Sequence, residues 1–345
     1  MSLQSIHIDF AKTSQSEITQ LCKQWSESPE PWIKDLSSFI LEWLSENDLI
    51  ALQTSGTTGD PKTIRVEKQK LVNSALMTGA FFHLQENSKA LLALSPQYIA
   101  GKMMIVRCAV LKWQLFAIEP SGNPLEHFDT PIDFTALVPN QLYNILHSPF
   151  AEKLNRIGKI LIGGGPLSDE STKLIRNYKC RVYHSYGMTE TLSHVALRQI
   201  NPPAEKSYLA LPDVSFSTDD RDCLIVKAPK VCDTDVVTND VVKLHNNKEF
   251  EWLGRYDNII NCGGIKLNPE SIENKLKAFI TSPFIVSSLP DEKLGNRLLL
   301  IVEGQEAPDL SLLNKQLDKY EQIREIRTVS QFHYTASGKI KRREI

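Results

Sequence analysis

No run of apolar residues in this sequence approaches the roughly 18 that a membrane-spanning helix requires, so no membrane span is expected. Cysteine pairing is also missing. The six cysteines, at positions 22, 108, 180, 223, 232 and 262, form no CxxC pair and have no histidine at zinc spacing, which predicts reduced thiols and argues against a metal cluster. Neither sign of charge is in surplus: 39 Lys and Arg against 41 Asp and Glu leave a net charge of -2, and with it no electrostatic footprint for nucleic acid or an anionic membrane. The opening Met1-Ser2-Leu3-Gln4-Ser5 lacks the basic start and apolar core of a signal peptide, so a cytoplasmic location is expected. Repeats and low-complexity segments are absent too. What remains is an ordinary globular composition, 41% hydrophobic and 23% charged over 345 residues, long enough for one large domain and a small one, each with its own core.

The chemistry-bearing residues are densest in Thr54-Ser55-Gly56-Thr57-Thr58-Gly59-Asp60-Pro61-Lys62. Glycines let backbone N–H groups line one concave surface, hydroxyls add donors that rotate, and Lys62 supplies a countercharge; together these suit phosphate. A Walker A loop would place glycine directly before the lysine, where Pro61 stands. The same residue types also build plain surface turns. The hydroxyl density and the motifs further along favour phosphate. The apolar residues 49–52 ahead of the loop read as a buried strand.

Within residues 1–48 the patterning is helical, with Trp32, Leu36, Phe39, Ile40 and Trp43 recurring at three- and four-residue steps. A helix is expected over residues 67–82. Strand-length runs at 90–94, 115–118, 134–138 and 159–162 then alternate with helical patterns at 98–112, 140–147 and 168–177. That alternation predicts an α/β fold, a mostly parallel sheet flanked by helices, with ligands at the carboxyl ends of its strands. Residues 54–62, Gly163-Gly164-Gly165, and Tyr186-Gly187-Met188-Thr189-Glu190 all come after strand-like runs, so one cleft lined by all three is expected. The glycine triplet imitates a dinucleotide fingerprint but lacks its third glycine and its acidic residue; a slot for a flat ring fits better. Beyond residue 200, runs at 223–228 and 236–237 predict a small β subdomain. A strand, a break at Gly254 and a second strand come next, which puts the boundary of the large domain at residue 254, a hinge at 255–257, and a small mobile α+β domain at 258–345. In that domain we expect a glycine turn at 262–264, a helix with Pro269 in its first turn, strands at 284–289 and 298–302, a helix near 310–320 and a polar tail at 335–339.

Five stretches now stand in order: TSGTTGDPK at 54–62, YGMTE at 186–190, Thr238-Asn239-Asp240, GRYDNIINCGGIKLNPESIE at 254–273, and TASGK at 335–339. With them the chain resembles the adenylate-forming superfamily of acyl-CoA synthetases, peptide-synthetase adenylation domains and luciferases. The resemblance implies a two-step reaction, in which a carboxylate attacks the α-phosphate of ATP and a thiol then displaces AMP. It implies that Thr54, Ser55, Gly56, Thr57, Thr58, Gly59 and Lys62 close over the β- and γ-phosphates, and that Gly163, Gly164, Gly165 and Tyr186 enclose the adenine. Thr189 would contact the α-phosphate, Glu190 would hold Mg²⁺, Asp240 and Arg255 would serve the ribose, and Lys339 would bridge the carboxylate and the α-phosphate. Asp257 matches the family's hinge, and Gly263, Gly264 and Lys266 match its thiolation turn. Blander roles stay open: Glu190 as a helix cap, Asp240 as a turn residue and Lys339 as part of a solvated basic end. The family has glycine where Asn239 stands.

The chain stops six residues after Lys339 without a carrier domain, so free CoA is the expected acceptor. Residues 95–107, with Tyr98, Gly101 and Arg107, look like the acid-binding stretch of o-succinylbenzoate–CoA ligases of menaquinone biosynthesis, as does Phe134-Thr135-Ala136-Leu137-Val138-Pro139. That pattern has His and Ser where this chain has Tyr98 and Ala100. Arg107 offers a cation to the far end of a dicarboxylate; alternatively it is a surface arginine on an amphipathic helix. Family members usually carry a longer segment ahead of the glycine-rich loop, whereas 53 residues precede Thr54, so a reduced, more open scaffold is expected. Three functions are then open: an o-succinylbenzoate–CoA ligase, another aryl- or acyl-CoA ligase, or a non-catalytic nucleotide-binding relic.

Overall fold

The computed structural model describes residues 5–53, 63–334 and 340–342. The expected phosphate loop at 54–62 and the tail lysine Lys339 lie outside the described residues. The chain forms two compact units, Met1–Ser215 with Lys227–Val236, and Phe216–Val226 with Val237–Ile345. The hinge expected at 255–257 falls inside the second unit. Among the described residues no helix is long and apolar enough to cross a membrane.

The first unit holds strands β1 (Ile6–Asp9), β2 (Leu49–Gln53), β3 (Thr63–Glu67), β4 (Lys89–Leu92), β5 (Gln114–Ala117), β6 (Ile132–Leu137), β7 (Ile157–Ile162), β8 (Arg181–Gly187), β9 (His194–Gln199) and β10 (Tyr208–Ala210). Its helices are α1 (Gln15–Trp25), α2 (Pro31–Leu44), α3 (Lys68–Phe82), α4 (Ile99–Val110), α5 (Pro139–Leu146) and α6 (Asp169–Leu174). The sheet runs β1-β5-β4-β6-β7-β8-β9-β10. Pairing is parallel from β5 through β4, β6 and β7 to β8, and antiparallel for β1, β9 and β10. The parallel centre results from the βα alternation, because crossover helices cover both faces and the strands become nearly continuous apolar runs. One face buries Leu137, Leu142, Ile145, Ile160, Ile162 and Val182 in a single cluster. On the other, Phe82 meets Phe134 and Tyr183 at ring distances of 5.2 and 5.0 Å, and Trp113 meets Phe134 at 5.6 Å.

Two expectations are corrected near the N-terminus. Residues 6–9, read as part of a helical stretch, form β1; Ile6 and Ile8 are buried on one side and pair with β5, a period-two signal too short to see in the sequence. The strand ahead of residue 54 belongs to a separate two-stranded antiparallel sheet, β2 with β3, and not to the parallel sheet. Ile50 and Leu52 are buried while Leu49 and Ala51 are exposed, as in a strand covered on one face only. Helix α2 buries Trp32, Leu36, Phe39 and Ile40, the face its periodicity predicts, with Pro31 in its first turn.

The second unit holds β11 (Ser215–Thr218), β12 (Cys223–Lys227), β13 (Val236–Asn246) and β14 (Glu249–Arg255) in the order β14-β13-β12-β11. A hairpin of β15 (Ile260–Cys262) and β16 (Ile265–Leu267) comes next, then helix α7 (Pro269–Leu276), strands β17 (Phe284–Asp291) and β18 (Gly295–Glu303), helix α8 (Leu310–Asn314) and strand β19 (Glu325–Val329). Ile272, Leu276, Val286, Leu298, Leu300 and Leu313 make its core. The break expected at Gly254 lies further on, in a short 3-10 turn at Tyr256–Asn258. β14 runs through Gly254, whose φ of +154 favours glycine, opposite a bulge between Val241 and Val242. A Cβ at Gly254 would also collide with the side chains of Asn268 and Glu270. The helix expected near 310–320 stops at Asn314; beyond it the two N–H groups of Gln322 Nε2 are shared among the carbonyls of Asn314, Leu317 and Asp318, which thereby find a partner outside the helix.

Candidate active site

The glycine triplet sits between β7 and α6, and β8 pins it from both sides. Ser185 Oγ donates to Ile162 O at 2.9 Å, and a Cβ on Gly163 would come within 2.9 Å of that same hydroxyl. Gly164 has φ +86, a left-handed conformation that disfavours any other residue. His184 Nε2 lies 2.8 Å from Gly165 O. Since a carbonyl only accepts, that nitrogen carries the proton, and His184 Nδ1 meets Tyr208 Oη at 2.6 Å. The ring of Tyr186, on the same side of β8 as His184, stands 5.8 Å from the Tyr208 ring. The register of β7 with β8 thus makes the three glycines and Tyr186 neighbours in space.

The YGMTE segment ends β8 and enters a 3-10 turn at Thr189–Thr191. Thr191 Oγ1 accepts from Met188 N at 3.0 Å and lies 2.7 Å from Ser193 O, knotting the turn. A side chain at Gly187 would strike the Ser193 backbone, which requires glycine there. Thr189 is half-buried, Glu190 is exposed, and the Glu190 carbonyl accepts from Cys232 Sγ.

Arg107 is only 2% exposed, so it is no surface arginine. Its Nη2 donates to Ser193 Oγ at 2.9 Å and meets His194 Nδ1 at 3.4 Å; its Nε donates to Thr78 Oγ1 at 3.3 Å. Among the described residues Nη1 meets only Met104 Sδ, at 3.8 Å, and no carboxylate pairs with the guanidinium. Burial pulls its pKa down to about 10. His194 is buried beside it; burial first and the Arg107 charge second push its pKa well below the ordinary range, so it is neutral at pH 7. Because arginine only donates, His194 Nδ1 accepts, and Nε2–H donates to Thr78 Oγ1 at 3.2 Å, while the Thr78 hydroxyl donates to Ser74 O at 3.0 Å. The result is a buried cation held by neutral groups, an arrangement that is costly without an anion. Of the other acid-binding candidates, Tyr98 precedes α4 and is 58% exposed, and Gly101 is buried where a Cβ would strike the Ser95 carbonyl, fixing the approach of the preceding loop.

The ribose, hinge and turn candidates lie in the second unit. Asp240 and Arg255 face each other across β13 and β14, with Arg255 Nη1 3.4 Å from Asp240 Oδ1, which also accepts from Trp252 Nε1 at 3.1 Å. Burial opposes the Arg255 charge, but Asp240 and Asp257 outweigh it and hold its pKa above the ordinary value. Asn239 joins Arg221 to Asp257, accepting from Arg221 Nη1 at 3.0 Å and donating to the Asp257 carboxylate at 3.3 Å. Gly263 and Gly264, at φ +59 and +86, make the tight turn of the β15–β16 hairpin, with Lys266 Nζ 5.9 Å from the Tyr256 ring centre. Tyr334 and Ile340 bridge on either side of residues 335–339. Thr78, His184, Ser193, His194 and Tyr208 escape a reading of the sequence. His184 alone leaves a signal, since it stands two residues before Tyr186 in a strand.

The family of AMP-binding enzymes matches residues 2–226. The 2-succinylbenzoate–CoA ligase of Lactococcus lactis subsp. lactis (strain IL1403) is 25% identical over 93% of this chain and 74% of its own. Staphylococcus aureus (strain JH9) has a ligase of the same name, 24% identical over 85% of this chain and 65% of its own. Among solved structures, an acyl-CoA synthetase (AMP-forming)/AMP-acid ligase II-like protein from Dyadobacter fermentans DSM 18053 is 36% identical, covering 99% of this chain and 98% of that one, with a TM-score of 0.68. The o-succinylbenzoate coenzyme A synthetase from Bacillus subtilis, solved with ATP and magnesium ion, shares the fold at a TM-score of 0.70 and 20% identity, over 85% of this chain and 69% of that one.

Proposed function

The chain belongs to the AMP-binding enzymes and is an AMP-forming acid–CoA ligase; from its likeness to 2-succinylbenzoate–CoA ligases we propose that it joins an aromatic dicarboxylic acid, o-succinylbenzoate or a close analogue, to CoA. In the first step an acid oxygen bonds to the α-phosphorus of ATP, the bond from that phosphorus to the bridging oxygen breaks, and pyrophosphate leaves. In the second the CoA sulfur gives up its proton and bonds to the acyl carbon, the bond from that carbon to the AMP phosphate oxygen breaks, and AMP leaves. The protein's task in such chemistry is positioning and charge stabilisation. Residues 54–62 would take the β- and γ-phosphates, Gly163, Gly164, Gly165 and Tyr186 the adenine, Thr189 the α-phosphate, and Asp240 with Arg255 the ribose. Glu190, an exposed carboxylate in a turn, suits Mg²⁺, which keeps its waters and the nucleotide phosphates and needs one or two protein oxygens. Lys339 would act in the first step; rotation about Asp257 would then bring Gly263, Gly264 and Lys266 to the thiol.

Arg107 carries the choice of acid. A buried guanidinium with hydroxyl and imidazole partners but no carboxylate among the described residues suits a ligand that brings a second carboxylate of its own. The test is pyrophosphate exchange into ATP without CoA, across o-succinylbenzoate, benzoate and medium-chain fatty acids, in the wild-type chain and in Arg107→Met. Exchange driven by o-succinylbenzoate, with its KM raised about 10- to 100-fold in the variant, is the expected result. Exchange driven by a monocarboxylate alone would transfer the assignment to another acyl- or aryl-CoA ligase, and the absence of exchange with every acid tried would point to a nucleotide-binding relic.

A further inference from the structure

His184 shares β8 with Tyr186, one wall of the slot proposed for adenine; it hydrogen-bonds the other, glycine wall directly and is linked to the tyrosine wall through Tyr208. Its register partner on β7 is Ile162, three residues before Gly165, so the imidazole reaches past the carboxyl end of β7 to the Gly165 carbonyl at 2.8 Å. Its other nitrogen takes the Tyr208 hydroxyl at 2.6 Å. Tyr208 in turn stands beside Tyr186, with ring centres 5.8 Å apart, and its own ring is held by Arg198, whose guanidinium carbon is 5.2 Å from the ring centre. Arg198 pairs with His184 in the β8–β9 register. One face of three adjacent strands thus presents His184, Arg198 and Tyr208 in contact with the glycine wall at one end and the tyrosine wall at the other.

We propose that His184 and Tyr208 are positioning residues that set the spacing between the Gly165 backbone and the Tyr186 ring, and so tune the affinity for the adenine base of a nucleotide. The proposal rests on the adenylation reading of the same site. A glycine loop has no side chains of its own to hold its distance from an opposing ring, so the distance must be set from outside. His184 does so with a bond to a main-chain acceptor, which a change of rotamer elsewhere in the loop cannot release. Stacking is steep in separation, since a gap of roughly half to one ångström already forfeits about a quarter to a half of the contact energy. A base seated between these walls is therefore sensitive to a clamp that never touches it.

The experiment is calorimetric titration of AMP into the full chain, wild type, His184→Ala, His184→Gln and Tyr208→Phe, with ATP and acid KM values measured in parallel. We expect His184→Ala to weaken AMP and raise the ATP KM by about tenfold or more, one hydrogen bond and part of a stacking contact, with the acid KM within about twofold of wild type. His184→Gln, whose amide can still donate to Gly165 O, should recover most of the affinity, and Tyr208→Phe, which keeps the ring, should lose less than His184→Ala. AMP binding unchanged in His184→Ala, or equal losses for nucleotide and acid that His184→Gln does not rescue, would reduce His184 to a packing residue and overturn the clamp. A wild-type chain that binds neither AMP nor ATP would overturn the adenylation reading itself and the clamp with it.

Discussion

Two buried side chains in one hydrogen-bonded network carry opposite electrostatic roles. Arg107 keeps its charge under burial, while His194 gives its charge up, and Thr78 and Ser193 satisfy the donors and acceptors left between them. The neutral imidazole makes stability depend on pH. Its pKa in the fold lies well below 6.5, so below that value the unfolded chain binds a proton that the folded chain refuses. Stability is then full above about pH 6.5 and is lost as pH falls toward the folded pKa. Denaturant unfolding between about pH 5 and 7.5 should show this slope in the wild type and a shallower one in His194→Gln, whose amide can mimic both imidazole bonds without titrating. Identical slopes would mean that His194 is not buried neutral. None of this was visible in the sequence: Thr78 is 29 residues from Arg107 and His194 is 87 away, and only packing makes them partners.

Helix α7 shows how one element anchors distant parts of its unit. Asn268 caps it, Pro269 opens it, and its Glu273 receives both Arg342 from the end of the chain and the Val286 amide of β17. Arg342 Nη2 lies 2.6 and 2.8 Å from the two Glu273 oxygens, and its Nη1 donates to Val286 O at 3.1 Å. Burial raises the Glu273 pKa despite this partner, which marks a carboxylate dependent on its arginine. Arg342→Ala should therefore cost roughly 3–5 kcal/mol in thermal or denaturant unfolding of the second unit, while Glu273→Met with Arg342→Met should cost much less. A double variant as unstable as the single one would show that the packing of the two stems, and not the charge pair, is what matters. The Pro269 helix and the Gly263-Gly264 turn were legible in the sequence because proline and glycine leave local conformational marks. The pairing of Arg342 with Glu273 was not, since 69 residues separate them.

The whole molecule divides its candidate residues between two units: the adenine and acid groups in one, the ribose, hinge and turn groups in the other. A two-step reaction that uses different groups in each step predicts separable losses. Lys339→Ala should abolish adenylate formation, read as pyrophosphate exchange, yet spare thioester formation from preformed acyl-adenylate; equal loss of both would remove the role proposed for that lysine. The α/β alternation, the glycine positions and the family could all be read from the linear chain, because local propensities and the ordered motifs TSGTTGDPK, YGMTE and GRYDN are written in contiguous residues. It took the folded chain to establish that residues 49–53 pair with 63–67 and leave the parallel sheet, that Arg107 is buried among neutral partners, and that His184 joins the glycine wall to Tyr208. Strand partners and burial arise from contacts between distant residues, and a desolvated charge or a shared hydrogen bond exists only once the chain has brought them together.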